Sequence, residues 1–190
     1  MTKTRLEAFS DGVIAILITI MVLEFKVPLE AKWEALGPLL PQFLTYLLSF
    51  VFVGIYWNNH HHMLQATQRI NGKILWANLH LLFWLSLTPF ATAWLDENHG
   101  ASAPTAFYGV VLLADAIAYT ILQAQIMSHH GPESPLKHAV GNDLKGKVSV
   151  MCYIAAIPLA FVQTWLSIAL YVLVALIWLV PDRRIERQLS

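Results

Sequence analysis

Apolar residues fall along this chain in blocks sized to cross a membrane, with short polar segments between them. A spanning helix needs about 20 apolar residues for a hydrocarbon layer of ~30 Å. Four blocks meet that length, at 9–27, 39–57, 74–95 and 105–127. Proline, histidine or charged residues separate them at 28–41, 60–73, 96–104 and 129–147. The last block, 148–181, holds 34 residues without a charge. As one helix it would run about 51 Å, too long for a bilayer. Two short helices turning near Gln163 and Thr164 fit better. The pattern predicts six spans, the last two short, in one all-α membrane domain over residues 1–190.

Composition narrows the class. The chain is 57% hydrophobic and 13% charged, with a mean hydropathy of +0.56. Twelve basic and 12 acidic side chains cannot cover that much apolar surface in water. The same numbers exclude disorder, and a single cysteine, Cys152, excludes a disulfide scaffold. The net charge of zero offers no bulk attraction to nucleic acid, so no such partner is expected. No room remains for a separate catalytic or nucleotide-binding domain.

The basic residues choose the topology. With six spans and a cytoplasmic N-terminus, Lys3, Arg5, Arg69, Lys73, Lys137, Lys145, Lys147, Arg183, Arg184 and Arg187 lie inside. Only Lys26 and Lys32 lie outside, as the positive-inside rule requires. Five spans would move the three C-terminal arginines outside and weaken the bias. A secretory leader would also begin with Lys3 and Arg5 before an apolar run, but no small-x-small cleavage site follows. No repeat of 20 to 50 residues is visible.

Polar groups within the spans carry the candidate chemistry. Many such groups only hold helices together, whereas ionisable ones at membrane depth lean towards function. Ser10 and Asp11 are placed in the first turns of span one, where the helix dipole favours a carboxylate. Arg5 lies six residues from Asp11 and cannot pair with it on one helix face. Span two ends in Trp57-Asn58-Asn59-His60-His61-His62, and span three carries Asn78 and His80 at the same level. Adjacent helical residues point ~100° apart, so three consecutive histidines cannot converge on one ion. Hydrogen bonding to Ser10 and Asp11 is the expected use of this cluster. Neither a metal nor another cofactor is expected. Asp115, four residues before Tyr119, stays open between a proton or ion relay and a buried interhelical bond. His129, His130 and His138 are read as solvated, and Cys152 as a packing residue. No Walker motif, G-x-G-x-x-G, paired catalytic carboxylates or T-V-G-Y-G filter is present, so no enzyme is expected.

Arg5-x-x-x-Phe9-Ser10-Asp11 before an apolar span resembles the R-x-x-x-F-S-D signature of the bacterial transmembrane-protein-175 family of potassium-permeable channels. The six-span plan, Trp57, His61 and Asn78 strengthen the likeness, which covers essentially the whole chain. The resemblance implies a homotetramer in the bacterial inner membrane, both termini cytoplasmic, that passes K+, Rb+ and Cs+. It implies a pore lined by four copies of the first helix, with a filter of bulky aliphatic rings. The constricting positions five, nine and twelve residues after the motif aspartate are Ile16, Ile20 and Leu23. Thr19 matches a hydroxyl position lining the same filter in some relatives. The geometry is compatible: 16, 20 and 23 share one helix face, about 6 Å and 4.5 Å apart along the axis. Arg5, Phe9, Ser10 and Asp11 would then lock the helix against spans two and three. A proton-coupled transporter built on Asp115 and the histidines is the main rival, and it predicts an internal repeat.

Overall fold

The computed structural model describes residues 2–67, 69–130 and 143–179, and these are all-helical apart from short connections. Helix α1 spans Lys3–Leu23, α2 Leu40–Gln65, α3 Gly72–Leu85, α4 Thr88–Glu97, α5 Ser102–His130, α6 Leu144–Leu159 and α7 Thr164–Leu179. A 3-10 turn, Trp33–Leu39, precedes α2. Helices α3 and α4 form one broken pass, so the helices make six passes. Four of them are long and apolar enough to cross a membrane. Lys137, His138, Pro181, Arg183, Arg184 and Arg187 lie outside the described residues.

Local chemistry explains the boundaries. Pro41 opens α2 within its first turn, where the missing N–H costs nothing. The Asn71 side chain accepts from the backbone N–H of Ile74 at 2.9 Å and caps α3. Pro89 lacks an N–H for the Leu85 carbonyl and its ring crowds that turn, so the pass breaks at Ser86–Leu87. The apolar stretch ending near Leu179 divides as expected, since α6 stops at Leu159 and α7 starts at Thr164. Each has 16 residues, about 24 Å of helix. Asp143 caps α6 by accepting from Gly146 N–H at 3.1 Å. It does so from a left-handed conformation (φ 39°) that aspartate tolerates better than most residues.

Helix α1 begins at Lys3, two turns before the expected start at Phe9. Asp11 is therefore in the third turn and does not cap the helix through its dipole. Charged Lys3, Arg5 and Glu7 are carried on helix rather than on a lead-in segment, and Lys3 pairs with Glu7 at 3.7 Å.

Helix α5 is the hub of the bundle and packs against α3, α4, α6 and α7. Helix α1 packs on α2, α3 and α4. Two apolar clusters result. One joins Ile14, Leu17 and Met21 of α1 to Leu81 and Leu85 of α3 and Leu122 and Ile126 of α5. The other joins Phe52, Tyr108, Leu112, Tyr153 and Tyr171. The bundle's two ends sort cleanly. Lys3 Nζ donates to the Gln65 carbonyl at 2.9 Å at one end. At the other, Gln42 donates to the Glu24 carbonyl at 3.3 Å and Lys26 meets Glu97 at 3.4 Å.

Candidate functional site

Helix α1 has two faces of opposite fate. Leu6, Ser10, Ile14, Leu17 and Met21 recur every three or four residues and are buried against the bundle. The opposite face carries Arg5, Phe9, Gly12, Ile16, Ile20 and Leu23, all within ~40° of a common direction at 100° per residue. This face is uncovered: Phe9 is 49% exposed, Ile16 56%, Ile20 40% and Leu23 77%. The expected filter positions therefore form a continuous aliphatic stripe that no other described part of the chain covers. Thr19 flanks it, exposed, and donates to its own helix carbonyls of Ile16 (2.9 Å) and Ala15 (3.2 Å). Its proton is thus directed back to the helix, leaving oxygen lone pairs for the open side.

The buried face holds a polar chain across three helices. His60 Nε2 of α2 lies 2.7 Å from Asn78 Oδ1 of α3. Asn78 Nδ2 donates to Ser10 Oγ at 3.0 Å, and Ser10 Oγ donates to the Leu6 carbonyl at 2.9 Å. All three side chains are buried. Because the Asn78 amide nitrogen is engaged with Ser10, its oxygen must accept, so His60 carries its proton on Nε2. One helical step away, Trp57 Nε1 donates to Asp11 Oδ1 at 3.0 Å. Five of the expected lock residues (Ser10, Asp11, Trp57, His60 and Asn78) are thus brought together where α1 meets α2 and α3.

The others go elsewhere. Arg5 and Phe9 sit on the exposed stripe, not on the locked face. His61 stacks on Trp57, ring centroids 6.2 Å apart, and supports it from outside. Asn58 is half-buried beside the cluster. His80 accepts from Trp84 Nε1 at 3.0 Å on the exposed face of α3, because two residues of helix turn it ~200° from Asn78. His129, read as solvated, is exposed but bonds Asn71 at 3.0 Å, tying the end of α5 to the start of α3. Cys152 packs against the second apolar cluster.

A second polar cluster went unremarked in the sequence. Thr92 Oγ1 of α4 lies 2.7 Å from Ser49 Oγ of α2, which lies 2.9 Å from the Tyr108 hydroxyl of α5. All three are buried. Three hydroxyls within apolar spans were its only signal. Asp115, two turns further along α5, is also buried, and neither of its oxygens has a hydrogen-bond partner among the described residues. Among the described residues no group of three or more His, Cys, Asp or Glu side chains converges to hold a metal ion.

Comparison with known proteins places this geometry in context. Residues 5–89 match the family model described as endosomal/lysosomal potassium channel TMEM175. A protein named as a potassium channel in Chryseobacterium sp. is 56% identical over 190 residues, covering 100% of this chain and 99% of the relative. One in Streptomyces collinus is 32% identical over 183 residues, covering 90% of this chain and 89% of the relative. The crystal structure of a lysosomal potassium-selective channel TMEM175 homolog from Chamaesiphon minutus matches with a TM-score of 0.81 at 30% identity. It covers 95% of this chain and 97% of that one.

Proposed function

The chain belongs to the TMEM175 family of multi-pass membrane channels, which are not enzymes, and from that premise we propose that it forms a tetrameric potassium channel whose pore is the open face of α1. The observation that carries this reading is the uncovered stripe of Ile16, Ile20 and Leu23 on a helix whose other face is fully packed. Four copies around a common axis would turn the stripe into three stacked aliphatic rings. Such rings discriminate by the cost of stripping hydration and close by dewetting. Sodium holds its water more tightly than potassium, rubidium or caesium, so the larger ions pass more readily. Thr19 would lend an oxygen to a partly dehydrated ion. The whole chain, 1–190, would act as one six-pass unit, in the bacterial inner membrane with both termini cytoplasmic.

The lock supplies the narrow spacing. A buried bond from Asn78 to Ser10 and an exposed one from Trp57 to Asp11 hold α1 against α3 and α2, which sets how far the stripe projects towards the axis. Arg5 and Phe9, on the stripe itself, would face the neighbouring subunits or the pore entrance instead. Recording from the purified full chain in a planar bilayer tests the reading. Unitary K+ currents are the expected result. Saturable flux without unitary events would reject the pore and favour a carrier built around Asp115.

A further inference from the structure

The Asp115 carboxylate is the anomaly of the bundle interior. It is 1% exposed, on α5 about 20 Å from the start of that helix, near mid-membrane. Both oxygens lack a hydrogen-bond partner among the described residues. The titratable groups within range of its charge are Tyr56 from α2, Tyr108 from α5 itself and Tyr153 from α6. Tyr119, one turn along α5, stands beside Tyr56, their ring centroids 6.1 Å apart. The Tyr171 ring of α7 lies tilted against Tyr108 and Tyr153. Among the described residues no lysine, arginine or histidine from α3, α4 or any other helix acts on the carboxylate. A bare carboxylate without a counter-charge is not tolerated in such a place.

Water has a way in. A cavity of about 40 Å3 lies between α2, α5, α6 and α7, lined among others by Tyr56, Asn59, Tyr119, Ser149 and Tyr153, with Asp143 at its N-terminal-side end. About 10–15 Å3 of such volume holds one water. Ala116, the residue after Asp115, also lines it, so the cavity comes within one residue of the buried carboxylate. Tyr119 marks the passage, its hydroxyl 3.5 Å from the Asn59 carbonyl.

We propose that Asp115 is a proton-binding site within each subunit, separate from the α1 stripe and reached through the cavity among α2, α5, α6 and α7. A proton needs no room and removes the uncompensated charge, which no other ligand does at this packing. Losing it would leave a bare charge among Tyr56, Tyr108 and Tyr153 and draw water into the α2–α5–α6 contact. That contact borders the helices that hold His60 and Asn78, so the site would link pH on the N-terminal side to the seating of α1. The site stands whether or not α1 lines a pore.

Infrared spectra of the full chain in lipid vesicles test it. The expected result at neutral pH is a protonated-carboxyl C=O band that shifts in D2O and is lost in Asp115→Asn. In Asp115→Glu the band moves instead of vanishing, which keeps the assignment should the asparagine variant not fold. Ala116→Val, which narrows the cavity, should slow the D2O shift severalfold. A wild-type chain without the band at neutral pH overturns the site, as does a band unchanged in both Asp115 variants. A D2O shift as fast in Ala116→Val as in wild type overturns the route.

Discussion

Asn78→Leu tests the lock most sharply, because one side chain serves both neighbours. Its amide donates to Ser10 and accepts from His60, with all three groups out of water and lipid. Leucine is nearly isosteric, so the change removes bonds rather than volume. Hydrogen bonds between membrane helices average about 0.6 kcal/mol and reach about 1.7. Two of them therefore give roughly 1–3 kcal/mol. Stranding the His60 N–H adds a desolvation cost of about 1–3 kcal/mol. The expected loss is about 2–6 kcal/mol. Ser10→Ala removes only one interhelical bond, because the bond to Leu6 lies within α1, and with the Asn78 N–H left unpaired it should cost about 1–3 kcal/mol. Reversible unfolding of the purified protein in mixed micelles, followed by tryptophan fluorescence, measures both. The double variant should fall short of the sum by roughly one bond, about 0.6–1.7 kcal/mol. An Asn78→Leu loss below about 0.5 kcal/mol, the scale of a neutral surface change, would refute the lock, as would strict additivity.

Other substitutions probe separate joints. Trp57→Phe keeps the ring stack with His61 but removes the donor to Asp11; it should lower stability by about 0.5–1.5 kcal/mol and promote dissociation of the proposed tetramer on native gels. Wild-type assembly in both Trp57→Phe and Asp11→Ala would show that this bond does not position α1. Gly109→Ala puts a methyl group into the Tyr171 hydroxyl and ring and against Ile157, so it should cost about 1–3 kcal/mol in the same unfolding assay. A neutral result there would mean that α5 and α7 pack less closely. Thr92→Val keeps shape but removes the bond to Ser49 and should cost about 0.6–1.7 kcal/mol, whereas Thr19→Val, bonded only to its own helix, should leave stability unchanged.

The six passes were legible because apolar length alone marks them, and the division of the last stretch followed from a helix length no bilayer accepts. The start of α1 was not, because Lys3, Arg5 and Glu7 look like a lead-in until the helix is seen to carry them. The break in the third pass was written in Pro89, which sits inside an apolar run that hydropathy joins. Residue types in the lock could be read from the chain, but their pairing needs the rotation of three helices about their axes. Even so, the ~100° step already separates His80 from Asn78 and puts Phe9 on the face of Ile16. Ser49, Thr92 and Tyr108 could not be joined by sequence, since they come from three different passes.

The proposed filter is tested most directly by the reversal potential with K+ on one side of a bilayer and Na+ on the other, compared between wild type and Ile16→Asn. A hydrophobic ring selects by refusing to replace lost hydration, and an amide at Ile16 would replace it for either ion. Wild type should reverse on the potassium-selective side, and Ile16→Asn should reverse markedly closer to zero. An identical reversal potential in the two proteins would contradict the assignment of the filter to α1.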